Sequence, residues 1–198
     1  AKDYTKDYIN SLPFEMTDAQ KRVIGDCVKD MSSGRVMNRL VQGDVGCGKT
    51  AVAAALMYHT ARCGAQSAIM APTEILAEQH FKNLCESLKN TNIKCVLITG
   101  SLKKSEKQAA KEMLANGKAQ IAVGTHALIS EDVAFKNLAL VITDEQHRFG
   151  VLQRAQFADK GIKPHTLVMS ATPIPRTLGL IIYGDLDISI IDEYPKGR

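Results

Sequence analysis

Seven short apolar runs, separated by amphipathic stretches, set the tightest limit on how this 198-residue chain can fold. The runs are Arg39-Leu40-Val41, Ser67-Ala68-Ile69-Met70, Cys95-Val96-Leu97-Ile98, Ile121-Ala122-Val123, Leu138-Ala139-Leu140-Val141-Ile142, Leu167-Val168-Met169 and Ile188-Ser189-Ile190-Ile191. Their apolar residues fall at consecutive positions, as in strands covered on both faces by crossover helices; a sheet with one wet face would alternate polar and apolar. The stretches between them read as helices. Thr17 and Gln20 form a capping box ahead of Val23, Ile24, Cys27, Val28 and Met31, and this helix stops near Gly34. An alanine-rich helix follows Thr50, a third opens at Thr73 with Leu76, Phe81, Leu84 and Leu88 as its apolar stripe, and a basic fourth ends at Gly117. This alternation predicts an α/β fold with a mostly parallel central sheet of about seven strands and helices on both faces. Residues 1–16, with Pro13 near their end, read as a connecting arm rather than core, which leaves residues 17–198 as one domain.

Charge and cysteine usage narrow the class. The net charge is +4, and Lys103, Lys104, Lys107, Lys111 and Lys118 against Glu106 and Glu112 concentrate most of the excess in one stretch. Such a run permits a polyanionic partner, although a solvated helix face has the same composition. The five cysteines are odd in number and form no C-x-x-C pair, so neither a disulfide framework nor a zinc site is indicated. The charged N-terminus lacks the apolar core of a signal peptide, and no apolar run approaches ~18 residues. The expectation is a protein of a reducing compartment with no membrane segment. A chain that begins with Ala1 also reads as a piece of something longer.

Gly43-Asp44-Val45-Gly46-Cys47-Gly48-Lys49-Thr50 fits G-x-x-x-x-G-K-[ST], a pattern that average composition produces in roughly one chain in a hundred of this length. It lies between an apolar strand and an alanine-rich helix, where consecutive N–H groups and the positive end of the helix converge on a phosphate. Glycine at 43, 46 and 48 lets the backbone wrap closely. Lys49 is placed to reach the β- and γ-phosphates, and the Thr50 hydroxyl to bind Mg²⁺. A dinucleotide site would need G-x-G-x-x-G, and these glycines have the wrong spacing.

Hydrolysis requires a second acidic group to hold the metal and orient water. The strand from Leu138 to Thr143 ends in Asp144-Glu145-Gln146-His147. That puts Asp144 at the carboxyl edge of the sheet, where ligands of open α/β sheets bind, and lets Glu145 act as general base. Ser170-Ala171-Thr172-Pro173 closes the next strand, and its small hydroxyls could bond to the acidic box and report the phosphate state.

Together with Leu12-Pro13-Phe14, Met70-Ala71-Pro72-Thr73-Glu74-Ile75-Leu76-Ala77-Glu78-Gln79-His80, Gly124-Thr125-His126-Ala127-Leu128, Asp144 to Val151 and Thr172-Pro173-Ile174-Pro175-Arg176-Thr177, these elements resemble the first RecA-like P-loop NTPase lobe of superfamily 2 helicases. The similarity is to the RecG family of bacterial fork-remodelling enzymes, from about Leu12 to Arg198. Cys47 stands where serine is usual, and Thr143 interrupts an aliphatic strand. The resemblance implies ATP and Mg²⁺ as cofactors, with Phe14 and Gln20 against the adenine. It places Pro72, Thr73, Thr99, Gly100, Gly124, Thr125 and His126 along a DNA strand, and makes Arg148, Phe149 and Arg154 the coupling between acidic box and DNA. Locally, Thr73 and Thr125 read as helix caps, and the segment around Arg148 as a surface loop. His147 reads as a hydrogen-bonding switch, since no other histidine is near it in sequence.

The resemblance further implies forks and Holliday-type junctions as substrates of a longer, monomeric, cytoplasmic and nucleoid-associated bacterial protein. That protein's second motor lobe, with its arginine fingers, and its wedge domain would lie outside these residues. Two other classes compete. A stand-alone P-loop phosphotransferase or GTPase would need an acceptor lid or N-K-x-D, whose nearest approach is Asn116-Gly117-Lys118-Ala119. A non-catalytic nucleotide-gated module would not need Lys49, Thr50, Asp144 and Glu145 together.

Overall fold

The computed structural model describes residues 3–43, 48–129, 132–144, 163–171 and 187–192. In chain order these form α1 (Thr5–Ser11), α2 (Asp18–Ser32), β1 (Asn38–Gly43), α3 (Lys49–Arg62), β2 (Gln66–Met70), α4 (Glu74–Ser87), β3 (Cys95–Ile98), α5 (Lys104–Ala115), β4 (Ile121–Gly124), a 3-10 turn (His126–Ile129), β5 (Leu138–Asp144), β6 (His165–Ser170) and β7 (Asp187–Ile191). The strands make one sheet in the order β3-β4-β2-β5-β6-β1-β7, with every pairing parallel. All seven expected strands are present, within two residues of their expected ends. The chain leaves β1, passes over β6 and β5, and enters β2. The carboxyl ends of β1 and of the β5–β6 pair therefore flank the crevice where sheets of this type hold ligands.

Alternate strand residues feed two cores. Val41, Ile69, Val123, Ile142, Leu167 and Met169 join α1 to α4 on one face, while Ala68, Met70, Val96, Ala122 and Val141 join α5 and the 3-10 turn on the other. Consecutive apolar residues are needed for that double burial, and the central strands show it: all five residues of β2 and all four of β4 are buried. The edge strand β7 departs from the expected pattern, because Ile190 is half exposed where no strand among the described residues covers it.

The helices follow their local signals. The capping box of α2 forms, with Gln20 N donating to Thr17 Oγ1 (3.1 Å) and Thr17 N to Gln20 Oε1 (2.8 Å). In α3 every residue from Val52 to Thr60 is buried, so its alanines serve close approach by α1, α2 and the sheet rather than a single stripe.

The arm expected over residues 1–16 is in part core. α1 lies on α3, with Tyr8 and Met16 each 3% exposed, the Tyr8 ring 5.6 Å from that of Tyr58, and Tyr4 N donating to His59 Nδ1 at 3.1 Å. A short polar segment concealed this, because its apolar residues meet a partner helix some fifty residues away. Under the sheet, buried Gln66 ties three segments together: its Nε2 donates to the carbonyls of Leu114 and Ala119, and its Oε1 accepts from Asn137 N.

Candidate nucleotide site

The glycine–lysine loop leaves β1 at Gly43 and enters α3 through Gly48, whose φ of +83° is left-handed. A side chain at 48 would be strained there, and the turn brings the loop's last amides to the helix's positive end. Lys49 folds back so that its Nζ donates to Gly43 O at 2.7 Å, spanning the loop from end to end. Thr50, one residue into α3, is half-buried. Asp44, Val45, Gly46 and Cys47 lie outside the described residues.

Gln20 is fully buried beside this loop, and its Nε2 donates to Gly48 O at 3.3 Å. Its side chain therefore links the α2 cap to the phosphate loop, a connection that its spacing from Thr17 alone did not show. Phe14, just before that cap, is half exposed.

Asp144 ends β5, two strands from β1. Both Asp144 and Val41 register with Met169 of β6, so Asp144 stands level with Val41, two residues before the end of β1, about 10 Å across the sheet at the usual strand spacing. Ser170 follows Met169 on the intervening strand and is buried between the two elements, with Ala171 after it. Glu145, Gln146, His147, Arg148, Phe149, Arg154 and Thr172 lie outside the described residues.

A residue that closes the motif Met70 to His80, but to which the motif assigned no role, completes this side of the candidate site. His80, on α4, is buried, and its Nε2 lies 2.8 Å from Asp144 Oδ2. Its signal was present: Ala77, His80 and Leu84 make the buried stripe of α4, so the histidine interrupts an apolar face. Its partner emerges only from the strand order, which pairs β2, the strand that leads into α4, with β5.

The residues assigned to a DNA strand cluster at the carboxyl ends of the adjacent strands β3, β4 and β2, but they differ in access. Thr73 is exposed and caps α4, accepting from Leu76 N at 3.2 Å; Pro72 is half-buried. Gly100 and His126 are exposed. Thr99 and Thr125 are buried, and Thr99 Oγ1 has no partner among the described residues. Gly124 has a packing role: a Cβ there would stand 2.2 Å from Ile98 O and 3.0 Å from Leu128 Cγ. Glu74 joins two of these ends, its Oε1 accepting from Ser101 N at 3.1 Å. Two of the five lysines are held locally, Lys107 by Gly100 O and Lys111 by Asp132.

A family model for DEAD/DEAH box helicases matches residues 17–181. The chain belongs to that family. Its sequence is 55% identical over 192 residues to the ATP-dependent DNA helicase RecG of Aquifex aeolicus, covering 96% of this chain and 24% of that protein. It is 53% identical over 191 residues to RecG of Bacillus subtilis, covering 96% and 28%. Among solved structures, RecG bound to a three-way DNA junction superposes with a TM-score of 0.85 at 50% identity, over 98% of this chain and 26% of that one. A DEAD box protein from the hyperthermophile Methanococcus jannaschii superposes with a TM-score of 0.68 at 26% identity, over 96% and 54%. The chain thus spans about a quarter of the length of the RecG proteins it matches, and the RecA-like fold expected from the sequence is the fold observed. No helix among the described residues is long and apolar enough to cross a membrane.

Proposed function

We propose that this chain is the ATP-binding motor domain of a RecG-type DNA helicase that remodels forks and Holliday-type junctions as part of a longer, monomeric bacterial protein of the cytoplasm and nucleoid. The observation that carries this reading is the left-handed Gly48 with the Lys49 hook at the head of α3, on the sheet edge where Asp144 ends β5 two strands from β1, in a chain half identical to RecG throughout. Residues 17–198 make the lobe, and α1 braces it.

The donor set fits Mg-ATP. Loop amides from Gly43 to Gly48 would hold phosphate oxygens, and Lys49 would exchange the Gly43 carbonyl for the β- and γ-phosphates. The Thr50 hydroxyl and Asp144 carboxylate are hard oxygen donors of the kind Mg²⁺ takes; the ion, when bound, neutralises charge on the phosphates. Glu145 would serve as base, and Gln146, His147 and the Ser170-Ala171-Thr172 segment would sense the phosphate. Phe14 and Gln20 would meet the adenine. Exposed Thr73, Gly100 and His126, with Pro72, would follow a DNA backbone, and Arg148, Phe149 and Arg154 would couple it to the acidic box. Thr99, Gly124 and Thr125 would support that face from beneath.

Calorimetric titration with Mg-ATP, Mg-ADP and Mg-GTP tests this reading. Lys49→Ala should weaken Mg-ATP about 10-fold or more, since a charge-assisted hydrogen bond contributes about 1.5–3 kcal/mol. A variant that titrates like the parent refutes the site.

A further inference from the structure

Burying an imidazole on the apolar stripe of a helix costs free energy unless it is bonded, and an aliphatic side chain would fill the same place between Ala77 and Leu84. His80 sits there with its Nε2 2.8 Å from Asp144 Oδ2, the two side chains 9% and 14% exposed. An ionised carboxylate only accepts hydrogen bonds, so Nε2 carries the hydrogen. We infer that His80 is a positioning residue for Asp144: by holding Oδ2 it fixes the carboxylate's rotamer and leaves Oδ1 as the oxygen for the nucleotide's metal.

The arrangement has the logic of a metal ligand oriented by a hydrogen-bonding neighbour, whose loss commonly weakens metal affinity 10- to 100-fold. Here that neighbour comes from a different element. α4 is anchored at its start, where Glu74 Oε1 accepts from Ser101 N, and the stripe Ala77, Leu84 and Leu88 packs it on the sheet. His80 therefore reaches Asp144 from a fixed support. Holding the acid in one rotamer before nucleotide arrives spares the ordering entropy that a free carboxylate would lose on binding.

The inference rests on the nucleotide-site reading above, and its test separates the two. The probe is ADP, titrated calorimetrically into the chain with saturating Mg²⁺ and again with EDTA, for the parent, His80→Leu and His80→Gln, each checked by thermal melting. Leucine fills the volume without a donor; glutamine puts an amide N–H near the position of Nε2. The expected result is that His80→Leu loses about 10-fold of the Mg²⁺-dependent gain in ADP affinity, keeps its affinity in EDTA, and that His80→Gln recovers most of the loss. Should His80→Leu fail to fold, His80→Gln against His80→Asn makes the same comparison, because the shorter amide cannot reach Asp144. Any of four results overturns the inference: a variant without a donor that matches the parent, an equal loss in EDTA, no recovery by glutamine, or a parent that binds ADP without Mg²⁺ dependence. A parent that takes up no nucleotide at all overturns the site as well.

Discussion

Replacing Gly124 by alanine asks whether this position belongs to the proposed DNA face or to the sheet. Gly124 ends β4 and is paired on both sides, with Ile98 of β3 and Met70 of β2. The added Cβ would stand 2.2 Å from Ile98 O, whereas a carbon and a carbonyl oxygen in adjacent strands approach to about 3.3 Å. The strands must part by about 1 Å, enough to break ladder bonds whose normal length is about 2.9 Å. Moving β4 the other way compresses it against β2. Overpacking of this kind costs about 1–3 kcal/mol, and two weakened ladder bonds of about 1 kcal/mol each put it at the upper end. Restricting the unfolded chain returns about 0.4–1 kcal/mol. The net loss should be about 2–3 kcal/mol, a fall in melting temperature of about 4–12 °C for a chain of this size. Urea unfolding followed by circular dichroism measures it. Gly25→Ala is the control: it lies within α2 with nothing within 4 Å of its Cβ position, and should stabilise the fold by about 0.5–1 kcal/mol. A Gly124→Ala protein within about 0.5 kcal/mol of the parent, the ordinary range for surface changes, refutes the packing argument, and if its DNA affinity has fallen the glycine touches DNA directly.

Gln66→Leu removes the donor to Leu114 O and Ala119 O and the acceptor of Asn137 N. At about 1–3 kcal/mol for each buried group left unpaired, and with Leu114 O spared by Lys136 N, the two groups that remain should make the loss in urea unfolding about 2–6 kcal/mol. His165 accepts from Met37 N at 2.8 Å, and burial pushes its pKa down, with Asp30 partly pulling it back. Its folded pKa lies below the unfolded 6.5, so the unfolded chain takes up protons first; stability is present above pH 6.5 and falls as pH drops through the folded value, a slope that His165→Gln should reduce in melts from pH 7.5 to 5. Phosphate release by this chain alone, with saturating forked DNA, should stay far below about one per second, an ordinary enzymatic rate, because the resemblance assigns the arginine fingers to another lobe. DNA binding should be weak and salt-dependent, and by anisotropy at two salt concentrations Arg148→Gln with Arg154→Gln should cost more than Gln at Lys103, Lys104 and Lys107; the reverse order would move the DNA path to α5.

The sheet was legible because double burial leaves a mark that needs no partner to read. A strand such as Ile121-Ala122-Val123 must be apolar on both sides if helices cover both, and that pattern survives in one sequence. β7 and α1 broke the rule for opposite reasons. β7 ends the described sheet, so Ile190 meets little; α1 is short and mostly polar, so Tyr8 becomes core only once Tyr58 and its helix are in place. The strand order itself was not legible. Nothing in the runs says that β5 and β6 come between β1 and β2.

The candidate site divides along the same line. Gly48 and Lys49 are neighbours in sequence, so the proposed phosphate loop rests on a local pattern that needs no partner to be noticed. Asp144 required one inference, that a strand ending in acids points them at the ligand edge. His80 required two, since its partner lies 64 residues away and reaches it only because β2 pairs with β5. The proposed DNA face shows the converse limit. Motif resemblance placed Thr99, Gly124 and Thr125 beside Thr73 and Gly100, and they are beside them, yet three are buried and two are open. A motif marks where a surface forms; which of its members present a side chain is decided by packing one layer down, where Gly124 exists so that β3 and β4 can close. If that is right, the buried three should shift the melting temperature and leave the salt slope of DNA binding alone. Thr73 and His126 should do the opposite.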